Sequence, residues 1–198
     1  MSEHYFSADP SVPFRREPIS AEAWGRSLTL TSGAGVFSRG HLDHATAVLF
    51  REAEPPESGR VLDLGCGYGV IGLAIAAASP ETVVTGVDVN ERALLLAREN
   101  AADLGLGARF TACLPDDVPD DATYDEIWSN PPIRIGKPAL HALLLSWLPR
   151  LVSGGRAMMV VGKNLGADSL HRWLVDQGYP TERVASAKGF RVLETRRS

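Results

Sequence analysis

From residue 60 onward, short apolar runs alternate with longer segments that carry apolar residues at helical spacing. The short runs predict β-strands and the longer segments predict helices. Alternation of this kind is typical of a parallel sheet that is covered by helices on both faces, with ligands at the carboxyl ends of its strands. The predicted strands are 61–64, 83–87, 108–112, 126–129, 156–161, 184–187 and 190–195, and the predicted helices are 70–79, 91–104, 137–151 and 166–177.

The chain before this region follows a different pattern. Three prolines among polar residues predict an irregular arm over residues 1–27. Residues 27–32 then alternate apolar and hydroxyl side chains, as an edge strand does, and Asp43 is a candidate N-cap for a short helix. We therefore expect an N-terminal arm with a short strand and helix at 1–56, followed by one α/β domain at 57–198.

Composition limits the class of protein. The chain has 198 residues, of which 44% are hydrophobic and 22% charged, which is typical of one globular domain and excludes global disorder. No apolar run reaches the ~20 residues that a membrane-spanning helix needs, and the first residues lack the pattern of a secretory signal. The two cysteines and five histidines show no disulfide or metal-ligand spacing. We expect a cytoplasmic protein without a metal.

The net charge of −4 conceals an uneven distribution. Residues 1–129 hold 9 basic and 20 acidic side chains, a net of −11, whereas residues 130–198 hold 11 basic and 4 acidic side chains, a net of +7. The asymmetry indicates a basic surface from the C-terminal part, which would favour a nucleic-acid partner. An acidic half that balances a basic half for solubility is the simpler interpretation.

The clearest local motif is an apolar strand that runs into Gly65, Gly67 and Gly69 and then into a helix. Glycine permits a tight turn and lets a ligand approach the main chain closely. Asp88 ends the next predicted strand, where a carboxylate can accept hydrogen bonds from both ribose hydroxyls of an adenosine-containing cofactor. Asp63 adds a carboxylate before the loop, which suits a cationic ammonium or sulfonium ligand and suits a pyrophosphate poorly.

The same segment also fits another class of cofactor. Residues 67–72 match the GxGxxG pattern of nicotinamide and flavin enzymes, although a single match of this kind is weak support. The Asp63 carboxylate and the Asn-Pro-Pro sequence described next favour S-adenosylmethionine over a dinucleotide. A glycine-rich turn that binds no ligand is the structural alternative.

The sequence Asn130-Pro131-Pro132 follows a predicted strand and should lie at the same sheet edge as the glycine loop. Two prolines fix φ and remove two donors, which predicts a rigid turn with free carbonyl groups. The Asn130 amide oxygen and the Pro131 carbonyl could accept both N–H bonds of a conjugated amine. Such acceptors would promote methylation by positioning the amine and stabilising the charge that grows on nitrogen. In isolation, the sequence favours a simple strand-ending turn, but its place after the glycine loop favours the catalytic interpretation.

Four segments together resemble the class I S-adenosylmethionine-dependent methyltransferases, and more narrowly the small-domain guanine-N2 methyltransferases of small-subunit (16S) ribosomal RNA in a single-domain form. The resemblance implies a Rossmann-like α/β fold with a seven-stranded, mostly parallel sheet, its last strand antiparallel, and helices on both faces. The segments are 31–39, 61–69, 130–137 and 188–193, and the resemblance reaches from about residue 28 to the end of the sequence.

The resemblance also implies roles for individual residues. It places Asp63 near the methionine amino group, Asp88 on the ribose, Phe37 in the wall of the methyl-donor pocket and Asn130 against the target amine. Cys113 stands where many relatives have an acid, which implies main-chain contacts to adenine at that position. The implied cofactor-binding residues are Phe37, Asp63, Gly65, Gly67, Gly69, Asp88, Val89, Ala112, Cys113 and Asn130, and the catalytic segment is Asn130, Pro131, Pro132 and Ile133.

The functional hypothesis is an S-adenosylmethionine-dependent N-methyltransferase of structured RNA that modifies guanine N2 in small-subunit ribosomal RNA. The alternatives are a DNA adenine or protein glutamine methyltransferase, and a cofactor-binding protein that attaches to RNA without catalysis. Ile133 stands where an aromatic residue commonly stacks on the target base, which argues against adenine. Basic residues that could contact substrate phosphates are Arg39, Arg134, Lys137, Lys188 and Arg191.

Overall fold

The computed structural model describes residues 16–33 and 41–198. These residues form nine strands and five helices, with short 3-10 turns between some of them. The strands are β1 (Arg16–Ala23), β2 (Arg26–Gly33), β3 (Ser58–Leu64), β4 (Glu81–Val87), β5 (Phe110–Cys113), β6 (Tyr124–Ser129), β7 (Leu151–Gly162), β8 (Thr181–Ala187) and β9 (Phe190–Arg196). The helices are α1 (His44–Glu52), α2 (Val70–Ala78), α3 (Glu91–Asp103), α4 (Lys137–Trp147) and α5 (Ala167–Asp176).

Seven strands form one sheet in the order β5-β4-β3-β6-β7-β9-β8. The pairs β3–β4, β4–β5, β3–β6 and β6–β7 are parallel, and β9 is antiparallel to both of its neighbours. The chain moves outward from β3 to β5 and returns to β6 on the other side of β3. The carboxyl ends of β3 and β6 therefore flank a topological switch point. The topology confirms the predicted Rossmann-like α/β fold with its last strand antiparallel.

Apolar clusters cover both faces of the sheet. One cluster joins β1, β2 and α1–α3 to the sheet, and the other joins α4 and α5 to the opposite face. Neighbouring residues of β3 divide between them, since Val61 belongs to the first cluster and Leu62 to the second. A central strand buried on both faces explains why the predicted strands are continuously apolar instead of alternating.

Element boundaries agree with the sequence within a few residues, with two differences. The helix predicted at 137–151 ends at Trp147, because Leu148–Arg150 forms a 3-10 turn around Pro149 before β7 begins. Strand β7 is also longer than the predicted 156–161. Within the described residues, no helix has the length and apolar composition needed to cross a bilayer.

The prediction of an irregular arm over 1–27 is wrong for its described part. Arg16–Ala23 forms β1, which pairs antiparallel with β2 along its whole length. Ile19, Ala21 and Ala23 face the core, and the residues between them point outward. This period-two alternation is an ordinary strand signal that the prolines of the segment conceal.

The β1–β2 hairpin is fixed to the rest of the molecule by Trp24. Its indole Nε1 donates a hydrogen bond of 2.7 Å to the Ala53 carbonyl that follows α1. Its ring makes edge-to-face contacts with Phe50 and Trp128, at centroid distances of 5.0 and 5.7 Å. Aromatic pairs in this geometry add to the stability given by buried area. The hairpin, α1 and β6 are thus held in one arrangement.

A buried asparagine of α3 makes the second connection. Asn100 is 1% exposed, and its Oδ1 accepts a hydrogen bond of 2.7 Å from the Thr31 amide. Its Nδ2 donates to the carbonyls of Thr31 and Tyr68 at 3.0 and 2.9 Å. One side chain therefore satisfies main-chain groups of both β2 and the glycine loop, which lie far apart in the sequence.

We expect Asn100→Ala to lower the free energy of unfolding by about 2–4 kcal/mol, because the amide and carbonyl of half-buried Thr31 and the carbonyl of buried Tyr68 lose their partner. Chemical denaturation measures the change, with Asn164→Ala at an exposed position as the control. The control should stay within about 0.5 kcal/mol of the wild type. Equal stability of the two variants would contradict the connecting role of Asn100.

Candidate active site

A cavity of about 790 Å³ opens at the carboxyl ends of β3, β4 and β6. Its volume lies in the range of small-molecule and cofactor sites. The glycine loop, the end of β4, the Asn-Pro-Pro turn and the first turn of α1 form its walls. Lining residues used below are Asp43, Thr46, Gly65, Gly67, Tyr68, Asp88, Val89, Asn130, Pro131, Pro132, Ile133 and Arg134.

Gly65 and Gly67 present bare main chain to this cavity. Their φ angles are +75° and +55°, and a Cβ added at either position would meet no atom within 4 Å. The Gly65 amide is held by the Val87 carbonyl at 2.8 Å, so the loop is anchored to the end of β4. Open space beside two left-handed glycines is a cradle that a ligand can occupy, as the sequence predicted for the loop.

Asp88 stands at the end of β4 on the cavity wall. Its Oδ2 accepts from the Gly67 amide at 2.9 Å and its Oδ1 from the Asn90 amide at 2.9 Å. Burial raises the pKa of Asp88, while these main-chain bonds lower it. Each oxygen keeps a second lone pair, so the carboxylate can still accept from ribose hydroxyls. The neighbouring Val89 is 46% exposed and offers an apolar surface to a flat ring.

Asp63 lies beneath the loop and does not line the cavity. Its side chain is fully buried, and its Oδ2 accepts a hydrogen bond of 2.8 Å from the Gly72 amide. Its Oδ1 has no partner among the described residues. Desolvation by burial raises the pKa of Asp63 to about 7, the Gly72 amide lowers it, and the charge of Asp88 raises it further.

Three other predicted cofactor residues also lie outside the cavity lining. A Cβ on Gly69 would lie 3.1–3.3 Å from Leu73, Ala97 and Phe110, so this glycine permits close packing of the helices. Ala112 is buried, and its carbonyl accepts a hydrogen bond of 2.8 Å from Arg98. Cys113 is half-buried at the end of β5, where desolvation raises the pKa of its thiol. Their contact with a cofactor stays a prediction.

The Asn-Pro-Pro turn is joined to the glycine loop through β6. Ser129 Oγ donates a hydrogen bond of 2.7 Å to the Leu64 carbonyl, the last residue of β3. The prediction that the carbonyl groups of the turn are free is wrong. The Pro131 carbonyl accepts from the Ile133 amide at 2.8 Å, and the Pro132 carbonyl accepts from the Ile135 amide at 3.1 Å. The turn is tight enough for its own amides to reach these carbonyls. Each carbonyl oxygen has two lone pairs and therefore keeps one for a further hydrogen bond.

Asn130 lines the cavity and is oriented from outside the turn. Its Nδ2 donates to Asp43 Oδ1 at 2.8 Å and to Thr46 Oγ1 at 3.2 Å. No described residue donates a hydrogen bond to its Oδ1. The arrangement provides a fixed acceptor at the wall of the cavity, next to the glycine cradle.

Sequence reasoning did not assign several polar side chains of the cavity, among them those of Asp43, Thr46 and Tyr68. Asp43 was predicted only as a helix cap, and Thr46 and Tyr68 were not assigned. Tyr68 is 2% exposed, its hydroxyl has no partner among the described residues, and burial together with the charge of Asp43 raises its pKa. The two side chains that accept hydrogen bonds from Asn130, those of Asp43 and Thr46, lie at the start of α1, more than 80 positions earlier in the sequence. No local sequence pattern indicates these contacts.

The structure separates the predicted substrate residues into two groups. Arg134 is exposed, lines the cavity and makes no ion pair within the described residues. Lys188 is exposed at the tight turn between β8 and β9. Lys137 donates to Ser169 Oγ at 3.3 Å, and the guanidinium of Arg191, only 16% exposed, lies 3.6 Å from the Asp168 carboxylate. The predictions for Phe37 and Arg39 lie outside the described residues.

Comparison with known proteins identifies the family. Residues 27–194 match the model of the methyltransferase small domain. The chain belongs to this family. Its cofactor is accordingly S-adenosylmethionine, and the alternative of a nicotinamide or flavin dinucleotide is excluded. Gly72 of the GxGxxG match has a packing role, since its Cβ would lie 2.7 Å from the Phe110 ring.

Individual relatives agree with this assignment. The chain is 34% identical over its whole length to the uncharacterized protein YbxB of Bacillus subtilis, which it also covers completely. It is 34% identical to the ribosomal RNA small subunit methyltransferase C of Pseudomonas syringae, over 91% of this chain and 54% of that protein. In fold it is similar to the T. thermophilus 16S rRNA N2 G1207 methyltransferase RsmC, solved with AdoMet and guanosine. That match has a TM-score of 0.81 and 24% identity, and covers 96% of this chain and 52% of that one.

The methyltransferase therefore spans about half the length of the ribosomal RNA methyltransferases that it matches. The open glycine cradle and the Asp88 carboxylate fit an adenosine-containing cofactor, and the partnerless oxygen of Asp63 below them fits a nearby cation. Within residues 16–33 and 41–198, no cluster of three or more His, Cys, Asp or Glu side chains could hold a metal ion.

The raised pKa of Asp63 predicts a pH-dependent stability. Between its ordinary pKa of 3.8 and about 7, the folded protein binds a proton that the unfolded chain does not. Stability should therefore fall as pH rises through this window, by up to about 4 kcal/mol. Asp63→Asn keeps an acceptor for Gly72 and removes the titration, so the slope of unfolding free energy against pH should flatten.

Denaturant titrations at a series of pH values measure these slopes. Asp121→Asn, at an exposed position, is the control and should keep the wild-type slope. A slope in Asp63→Asn that equals that of the wild type would show that Asp63 does not titrate in this range.

Proposed function

We propose that this methyltransferase modifies an exocyclic amine of structured RNA, and specifically guanine N2 of small-subunit ribosomal RNA. The observation that carries the proposal is the fixed amide oxygen of Asn130 beside the glycine cradle. Two proteins to which the chain is similar support the substrate class, since the Pseudomonas syringae relative and the T. thermophilus RsmC are both named for methylation of small-subunit ribosomal RNA.

The chain's own residues account for the chemistry of nitrogen methylation. When bound, S-adenosylmethionine supplies an electrophilic methyl group on a sulfonium centre. Asn130 Oδ1 and the second lone pair of the Pro131 carbonyl accept the two N–H bonds of the target amine. These acceptors hold the amine in place and stabilise the positive charge that grows on its nitrogen. The amine can lose its proton to water afterwards, so the chain needs no strong base.

The charge distribution supports a polyanionic substrate. Much of the C-terminal positive charge is used internally: Arg156, Arg191 and Arg196 make ion pairs with Glu or Asp. Arg134 and Lys188 are exposed and make no such pair within the described part of the chain. Arg134 directly follows the catalytic turn and lines the cavity, so a phosphate beside the target nucleotide would meet it first.

The cytoplasmic location expected from the sequence stays a prediction.

We expect Asn130→Ala to lower turnover by about two orders of magnitude or more, because a hydrogen-bond acceptor of the transition state is lost. Affinity for S-adenosylmethionine, measured by calorimetry, should change little. Asn164→Ala provides the control for a general effect of removing an amide. Wild-type turnover in Asn130→Ala would remove this residue from the mechanism.

The substrate class is tested with labelled S-adenosylmethionine and separate pools of ribosomal subunits, naked RNA, DNA and protein. Label at N2 of a guanine in small-subunit RNA supports the proposal. Label on DNA adenine or on a protein glutamine amide would replace it with one of the alternatives that the Asn-Pro-Pro turn also serves.

Removal of Arg134 should weaken RNA binding in a salt-dependent way. We expect Arg134→Ala to reduce the slope of log affinity against log salt by about 1, the value for one lost phosphate contact. Arg191→Ala is the matched control, because its guanidinium is mostly buried against Asp168, and its slope should equal that of the wild type. Filter binding at several salt concentrations measures both. An unchanged slope in Arg134→Ala would exclude the phosphate contact.

A further inference from the structure

We infer that Asp43 is a positioning residue for methyl transfer: it selects the orientation of the Asn130 amide in which Oδ1, and not Nδ2, faces the substrate. The inference rests on the proposed role of Asn130. It adds a specific function to a residue that would otherwise be a helix cap only.

An asparagine amide can rotate by half a turn, and the two orientations exchange an acceptor for a donor. Only the orientation with Oδ1 toward the cavity can accept an N–H of the target amine. An isolated Asn130 would populate both orientations, and one of them would oppose the amine with its own N–H group. Something must therefore distinguish the two ends of the amide.

Asp43 makes this distinction through charge. Its Oδ1 lies 2.8 Å from Asn130 Nδ2, and an ionised carboxylate accepts hydrogen bonds but cannot donate one. The reversed amide would place its oxygen against the carboxylate, which exchanges a charge-assisted hydrogen bond for a repulsion. Thr46 Oγ1, at 3.2 Å from the same Nδ2, cannot select an orientation because a hydroxyl both donates and accepts.

The carboxylate is itself held firmly. Asp43 Oδ1 accepts from the amides of Ala45 and Thr46 at 2.9 and 3.1 Å, as the N-cap of α1. The helix is anchored in turn, because Val48, Leu49 and Phe50 are buried in the core on the hairpin side of the sheet. Oδ1 of Asp43 therefore joins a rigid helix to the catalytic amide. The orientation of the Asn130 amide is thus fixed by α1 and not by the Asn-Pro-Pro turn alone.

Two substitutions separate the cap from the positioning role. Serine is an N-cap as good as aspartate, but its hydroxyl ends one bond earlier and can donate as well as accept. We expect Asp43→Ser to preserve thermal stability and cofactor affinity while lowering kcat at least about tenfold, since misplaced groups cost up to about a hundredfold. Asp43→Asn keeps an oxygen pinned by the cap and should recover most of the lost kcat.

A double-mutant cycle supplies the readout that a structural role would not affect. If Asp43 acts through the Asn130 amide, Asp43→Ser should not lower kcat further in an Asn130→Ala background. Multiplicative losses in the double variant would overturn the inference, and so would wild-type kcat in Asp43→Ser. Failure of Asp43→Asn to recover activity would also overturn it, because it would indicate direct contact between the carboxylate and the substrate.

The cycle also separates this inference from the proposed function. Full activity of Asn130→Ala would refute the function of Asn130 and the inference together. A large loss in Asn130→Ala, combined with an additive or absent effect of Asp43→Ser, would refute only the role of Asp43.

Discussion

The parallel pairing of β3 with β6 is the constraint on which the site depends. Val61 to Asp63 pair with Glu126 to Trp128, so the two strands end at the same level of the sheet. The chain leaves β3 as the glycine loop and leaves β6 as the Asn-Pro-Pro turn. Because the topology reverses direction between these strands, their loops diverge and leave a crevice between them. A shift of either strand by one residue would move its motif away from the other and turn its side chains to the opposite face of the sheet.

Carboxylates are also concentrated at this edge of the sheet, at the carboxyl ends of β3 and β4. Asp63 and Asp88 end or nearly end adjacent strands, and burial raises the pKa of both. Main-chain amides compensate in part, since Gly72 donates to Asp63 and Gly67 to Asp88. The hydrogen-bond acceptors that remain are Oδ1 of Asp63, which lies below the glycine cradle, and the second lone pairs of the Asp88 carboxylate beside it. Such an acidic pocket favours a cationic ligand, and it contrasts with Arg134 at its opening, which favours an anionic one.

Most of the fold could be predicted from the sequence because its signals are local. Apolar runs, the glycine loop and the spacing of the helices follow from residues that are neighbours in the chain. The β1 strand was missed although its signal is also local, because its partner β2 follows after two residues. Prolines among polar residues conceal the alternation that places Ile19 and Ala21 in the core. The early end of α4 similarly depends on one proline, at position 149.

The candidate site was predictable only in part, for a related physical reason. The glycine cradle, Asp88 and Asn130 lie in motifs whose chemistry is visible in the sequence, and the structure brings them to one cavity. Asp63 was expected near the methionine amino group, and it lies in the part of β3 that is buried on both faces, so its contact with a cofactor stays a prediction.

Asp43 shows the limit of local inference most clearly. Its neighbours Ala45 and Thr46 make its capping role evident, because those contacts lie within three residues. Its contact with Asn130 spans 87 positions and exists only because α1 packs beside the switch point. Because helix capping already accounts for an aspartate at position 43, the sequence gives no sign that this residue also contacts Asn130. In a fold that gathers loops at one edge, helix caps that face that edge are therefore natural candidates for positioning roles.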